Sequence, residues 1–340
     1  MPKNYNALIP SVGLQIPVGS GMLSQGNAWY VRPRNGADGN SGYRPKAALQ
    51  TLAGGGQGLT GAVAMVTPYQ NDVVYFMADY DYTTTAYCTD YQSYTGGSGA
   101  LTWSNSLTHL IGVNGGQNFS LTSRVALLST FNTAIPMVYW SANDCLCANM
   151  NFFAGVAHAS PTGCLMVTGS GNHFYNCHIA GIGNATNDIA GAYSLYLNGG
   201  KENLFENCVI GLDTIDRGGA SNQEILIDNG AARNIFRNCL ILSRIKSTTA
   251  HPQVYFGSAA ALGDPSFVLF DNCTFQNSST NYAYAQTYVF ATAANLTAGG
   301  AIVRNCVAFG ATNWSASGDH VQIGVPAVNA AYTAGVGYSA

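Results

Sequence analysis

The chain has 340 residues, 47% of them hydrophobic, enough to bury a sizeable core without disulfide staples. Charged residues make up only 9%, against roughly 25% in an ordinary soluble domain, and the net charge is −3. This excludes charge-driven disorder and argues against an electrostatic nucleic-acid binder.

Forty glycines, with abundant Asn, Ser and Thr, suit short strands joined by tight turns. No stretch has the roughly 18 apolar residues that span a membrane, and the opening MPKNYNALIPSVGLQ holds no apolar signal segment. Residues 1–27, with Pro2, Pro10 and Pro17, read as an N-terminal arm or cap. Trp29-Tyr30-Val31 then leads into Asn35-Gly36-Ala37-Asp38-Gly39-Asn40, Pro45 and Ala48-Leu49-Gln50-Thr51-Leu52, and Asn71-Asp72-Val73-Val74-Tyr75-Phe76 comes next as a strand. The segment after it is crowded with Tyr80, Tyr82, Tyr87, Tyr91 and Tyr94. A tyrosine ring is apolar and its hydroxyl still hydrogen-bonds, so this loop is expected to be an interface or a glycan-stacking surface, the alternative being an insertion that caps or packs along the first coils. Leu107 to Gly116 reads as a further strand and turn, and Asn149-Met150-Asn151-Phe152 as a degenerate first copy of a repeat.

From Asn176 onward the repeat is regular. Cys177, Cys208, Cys239, Cys273 and Cys306 fall at intervals of 31, 31, 34 and 33 residues, and each stands directly after an asparagine: Asn176, Asn207, Asn238, Asn272 and Asn305. With nine cysteines in all, pairing cannot be complete within one chain, and the regular spacing signals a repeat rather than a redox site or a metal site. Phe174, Phe205, Phe236, Phe270 and Val303 stand two residues before the asparagines. Ile179, Ile210, Ile241, Phe275 and Ala308 stand two after the cysteines. Both columns should point inward, with each Asn at a corner of positive φ. The outward column Glu206, Arg237, Asp271, Arg304 alternates in sign, so neighbouring turns should pair opposite charges. A second strand precedes each copy: Leu165-Met166-Val167, Leu195-Tyr196-Leu197, Ile225-Leu226-Ile227, Val254-Tyr255-Phe256 and Tyr288-Val289-Phe290. A period near 30 residues with strand–turn–strand content is a parallel β-solenoid, all-β, stacked about 4.8 Å per turn.

The F-x-N-C-x-I repeat and the opening from Trp29 to Leu52 resemble the right-handed parallel β-helix, or pectate-lyase-like, superfamily over about residues 28–325. The resemblance implies a parallel β-helix of roughly nine coils, by division of the chain by its period. The arm 1–27 would precede it, and 326–340 would come after it as a C-terminal packing segment. Proteins of this kind include bacteriophage tailspikes, fibres and surface proteins as well as polysaccharide lyases and hydrolases, and fold alone does not choose among them.

The sparse acids supply weak catalytic candidates, Asp213, Asp216 and Glu224, together with Arg217 and Asp228. Arg244-Ile245-Lys246 mimics the R-I-K of polygalacturonases, but the rest of that pattern is missing. No phosphate loop, nucleophile elbow or dinucleotide fingerprint occurs. The expectation is therefore a non-enzymatic structural protein on a bacteriophage particle, a capsid decoration or fibre-like protein, made in the host cytoplasm and located in the virion. The alternative is a glycan-binding or polysaccharide-degrading tailspike-type protein, a lyase or glycoside hydrolase. Expected partners are other virion proteins such as the major capsid protein, further copies of the chain (a trimer being one arrangement) and a host surface glycan. No metal, cofactor, nucleic acid or membrane is expected.

Overall fold

The computed structural model describes residues 26–54, 61–78, 89–92, 98–113, 119, 121–160, 162–218, 221–246, 251–257, 267–279, 286–293, 300–315 and 321–323. Nearly all of the regular structure is short parallel strands, in sheets of ten, eight and seven strands with a further two-stranded pair. Each turn visits the three large sheets in the same order. His173–Tyr175 lies in the ten-stranded sheet, His178–Ala180 in the eight-stranded sheet and Tyr193–Asn198 in the seven-stranded sheet. Leu204–Glu206 then stacks on His173–Tyr175, in the register His173↔Leu204, Phe174↔Phe205, Tyr175↔Glu206. The chain is thus a parallel β-helix. Because the smallest large sheet has seven strands, at most seven turns are complete among the described residues, fewer than the roughly nine expected from the period alone. The shortfall is at the ends, where the ten-stranded sheet continues beyond its neighbours.

The repeat also hides a third strand per turn. Only Asn176 and Cys177 separate His173–Tyr175 from His178–Ala180, so two strands in different sheets read as one F-x-N-C-x-I run. The asparagine of each corner is in the left-handed region: φ is 57° at Asn149, 49° at Asn176, 54° at Asn207, 53° at Asn238, 55° at Asn272 and 53° at Asn305. Asn tolerates this region because its short amide can bond locally. The amides also bond between turns, Asn176 Nδ2 donating to Asn149 Oδ1 (2.7 Å) and Asn272 Nδ2 to Asn238 Oδ1 (2.8 Å).

Inside, Phe174, Phe205, Phe236 and Phe270 form one stack, with centroids 4.8, 4.9 and 4.7 Å apart and planes within 12°. The cysteine column lies beside it. Cys208, Cys239 and Cys273 each donate to the carbonyl of the phenylalanine one turn back, Phe174, Phe205 and Phe236. Burial pushes the thiols of Cys177, Cys208 and Cys239 well above the ordinary cysteine range, so they act as small protonated hydrophobes.

A second asparagine ladder is wholly internal. Asn172, Asn203 and Asn234, each just before a strand of the ten-stranded sheet, are almost completely buried. Asn172 Nδ2 donates to Asn203 Oδ1 and Asn203 Nδ2 to Asn234 Oδ1, both at 3.0 Å. Their amides also reach the carbonyls of Ala142, Gly169 and Gly200. This ladder satisfies loop backbone that would otherwise be buried without partners.

In the last copy the expected strand Tyr288-Val289-Phe290 is displaced. Val254 pairs with Phe290 and Tyr255 with Ala291, while Gln286–Tyr288 joins the two-stranded sheet.

Candidate functional site

The three carboxylate candidates do not converge. Residues 212–217 run beside residues 244–246, through Arg217 N to Arg244 O (2.9 Å), Lys246 N to Arg217 O (2.8 Å) and an Arg217↔Ile245 bridge. Extended backbone alternates its side chains, so Asp216 faces out and Arg217 faces in. Outside, Asp216 is held by Arg244 Nε (2.5 Å) and by Lys246 Nζ. These ion pairs hold its carboxyl below the usual range, the Lys246 hydrogen bond contributing most. The R-I-K triplet is therefore a clamp on Asp216.

Inside, Arg217 pairs with Glu224, both almost completely buried, and Ser194 Oγ donates to Glu224 Oε2 at 2.6 Å. Burial pushes the Glu224 carboxyl up, with Arg217 and Ser194 opposing it. Glycine is required at 211, where φ is +98° and a Cβ would lie 2.6 Å from the Glu224 carboxyl carbon. Asp213 is half-exposed and offers its backbone carbonyl to Arg244 Nη1 at 3.4 Å. Two acids locked in separate ion pairs on opposite sides of one strand are not the facing pair that glycoside hydrolysis uses. Among the described residues no group of three His, Cys, Asp or Glu is arranged to hold a metal.

Of the tyrosine-rich loop, Tyr80, Tyr82, Tyr87 and Tyr94 lie outside the described residues. Tyr91 sits in Thr89–Gln92, 61% exposed, between buried Asp90 and Gln92. The ladder residues Asn176, Asn207, Asn238, Asn272 and Asn305 occupy corners, and Cys177, Cys208, Cys239 and Cys273 are buried, with Cys306 partly open near the last turn.

A different row of side chains, on the seven-stranded sheet, forms a candidate surface. In five strands of the seven-stranded sheet the middle residue of an apolar triplet points outward. Its register runs Tyr139↔Met166↔Tyr196↔Leu226↔Tyr255. All five are partly exposed, and the tyrosines recur at alternate rungs, about 10 Å apart. Polar groups flank them. Thr168 Oγ1 donates to Tyr139 Oη (3.3 Å). Asn198 and Asp228 are register partners on the same face, and Asn229 Nδ2 donates to Asn198 Oδ1. Burial raises the Tyr196 phenol, with the Asp228 charge adding to it, so the hydroxyl remains a donor. The triplets were visible in the sequence, but which of their residues faces out depends on pairing register.

No protein-family model matches the chain, and no curated protein matches it. Among solved structures it is similar to pectate lyase Pel9A, at 15% identity over 88% of this chain and 75% of that one, with a TM-score of 0.55. It is also similar to a pectin methylesterase variant in complex with a hexasaccharide, at 14% identity over 84% and 80%, TM-score 0.49. A third structure, ORF18 of Geobacillus virus E2, shares 13% identity over 76% of this chain and 54% of that one, TM-score 0.35. At this identity the likeness to Pel9A shows the fold alone, a parallel β-helix.

Proposed function

We propose that this pectate-lyase-like parallel β-helix is a non-enzymatic surface protein of a bacteriophage particle, and that the outer face of its seven-stranded sheet holds an extended glycan. The observation that carries the reading is the row Tyr139, Met166, Tyr196, Leu226, Tyr255, a flat, partly exposed aromatic and aliphatic track edged by Asn198 and Asp228. Aromatic rings offer an apolar face to the C–H face of a sugar, and the flanking amide and carboxylate bond its hydroxyls. Sparse charge and Asn, Ser and Thr enrichment suit a protein that works outside cells. The acids in ion pairs, Asp216 and Glu224, are positioned for stability rather than for proton transfer.

Asp228 supports the competing reading. It lies on the same face as Tyr196 and is the carboxylate on which a lyase or hydrolase activity along this track is tested first. The full chain should therefore be tested on a panel of acidic and neutral polysaccharides, with binding and chain length of the glycan both measured. Retention without shortening, lost on Tyr196→Ala plus Tyr255→Ala in a chain with unchanged circular dichroism, is the expected result. Shortening that disappears in Asp228→Asn would replace binding by catalysis, and no retention of any glycan would remove the surface from the reading. Quantitative mass spectrometry of purified particles tests the location: absence of the chain from them overturns it.

A further inference from the structure

The outer face of the ten-stranded sheet carries a second, chemically different surface. Two outward columns run along it. One is aliphatic, in the register Leu204↔Ile235↔Leu269↔Ile302, four consecutive rungs that all remain partly exposed. Two residues along each strand lies the charged column Glu206↔Arg237↔Asp271↔Arg304. Within the chain, Arg237 bridges Glu206 (3.7 Å) and Asp271 (3.9 Å), and Arg304 holds Asp271 at 2.6 Å. Arg237 and Arg304 keep much of their guanidinium surface open, with side chains 41% and 54% exposed.

The order of signs is negative, positive, negative, positive. An alternating row of even length becomes its own opposite when read backwards. A second copy laid face to face, rotated by a two-fold axis along the strand direction between the Arg237 and Asp271 rungs, keeps each column over its like and reverses the rungs. Glu206 then meets Arg304 of the copy, and Arg237 meets Asp271 of the copy. Leu204 falls on Ile302 and Ile235 on Leu269. All four charged rungs are complementary and the aliphatic stripe buries itself. A two-fold parallel to the helix axis would instead set the aliphatic column over the charged one. We propose that this face is a self-association surface that joins two copies of the chain with their helix axes antiparallel, an isologous contact of apolar core and charged rim. The tyrosine row on the seven-stranded sheet is a different face and stays open in this arrangement.

Light scattering of the full chain across a concentration series, coupled to size exclusion, tests the proposal. The wild type is expected to be a dimer. Arg237→Asp and Asp271→Arg each set two like-charge contacts across the two-fold and should weaken association by roughly tenfold or more. An equimolar mixture of those two variants restores every cross-contact and should recover the dimer. The double variant Arg237→Asp/Asp271→Arg should also dimerise, although its own ladder is scrambled. That combination separates contacts between copies from contacts within one. Circular dichroism of each variant confirms folding, and Ile235→Lys should yield a folded monomer. A wild type that stays monomeric up to its solubility limit, a trimer, or a mixture no better than its components would overturn the proposal.

Discussion

The repeated turns and the N-terminal turns solve the same problem with different chemistry. In the turns from Asn172 to Asn305, one set of buried polar groups is satisfied by copies of one residue stacked on each other, Asn172, Asn203 and Asn234. Near the N-terminus single carboxylates do the work. Asp38 accepts from the backbone of Gln50 and Thr51, both at 2.8 Å, and from Thr51 Oγ1 at 2.7 Å. Asp72, completely buried, accepts from Asn27 N (2.6 Å), Thr67 N (2.8 Å) and Trp29 Nε1 (3.3 Å). Asp90 accepts from Leu52 N at 2.8 Å. A ladder needs a like neighbour on each side, and these irregular turns do not supply one. A carboxyl group can gather several irregular N–H and O–H groups at once, as Asp38 and Asp72 do, which is what the first turns of a solenoid require.

The contrast orders the expected effects of substitution. The largest should come from Glu224→Ala, which leaves Arg217 buried without its partner and should cost about 3–5 kcal/mol in urea denaturation. Phe205→Ala, in the middle of the ring stack, should cost a similar 3–5 kcal/mol, or about that. Should it cost less than about 1 kcal/mol, the stack is not a principal source of core stability.

Asp90 adds a pH dependence that no stacked amide can show. Burial raises its pKa from 3.8 to about 7. The folded chain thus holds this proton more tightly than the unfolded chain. Its contribution to stability is complete below 3.8, declines as pH rises and is gone above about 7. Melting temperature measured between about pH 4 and pH 8 should fall from this cause in the wild type and hold flatter in Asp90→Asn, which keeps an acceptor for Leu52.

Smaller effects should mark the corners and the surface. Asn238→Ala forces alanine to φ near 53° and should cost about 1–2 kcal/mol, with Asn238→Gly recovering most of the backbone share. Equal losses for the two would locate the cost in the side-chain amide instead. The exposed Arg233–Glu202 pair (2.6 Å) is expected to contribute under about 1 kcal/mol, and a double-mutant cycle should find that coupling reduced further at high salt.

Sequence alone was sufficient for the parallel β-helix, because stacking equivalent turns demands that like residues recur at one spacing. The asparagine corners, the phenylalanine and cysteine columns and the alternating charges all answer that demand. The two-residue corner at Asn176 and Cys177 was less legible: it interrupts the strands too briefly to mark a boundary, so the sequence showed at least two strands per turn and the structure three. The internal asparagines were present in the turn motifs, but nothing in NGGKEN distinguishes a buried ladder residue from a solvated one.

Only the tertiary structure decided the fate of the acids and the faces. Asp216 and Glu224 lie eight residues apart in sequence, yet the extended run at Arg217 sends one to solvent and the other beneath it. Likewise Tyr196 and Tyr255 are middle residues of apolar triplets that could have been core. Parallel pairing set Leu195, Leu197, Val254 and Phe256 inward and left the tyrosines outside. The physical reason is the two-residue period of a strand. Composition establishes that one side of each strand is buried, and register, a property of the whole stacked sheet, establishes which.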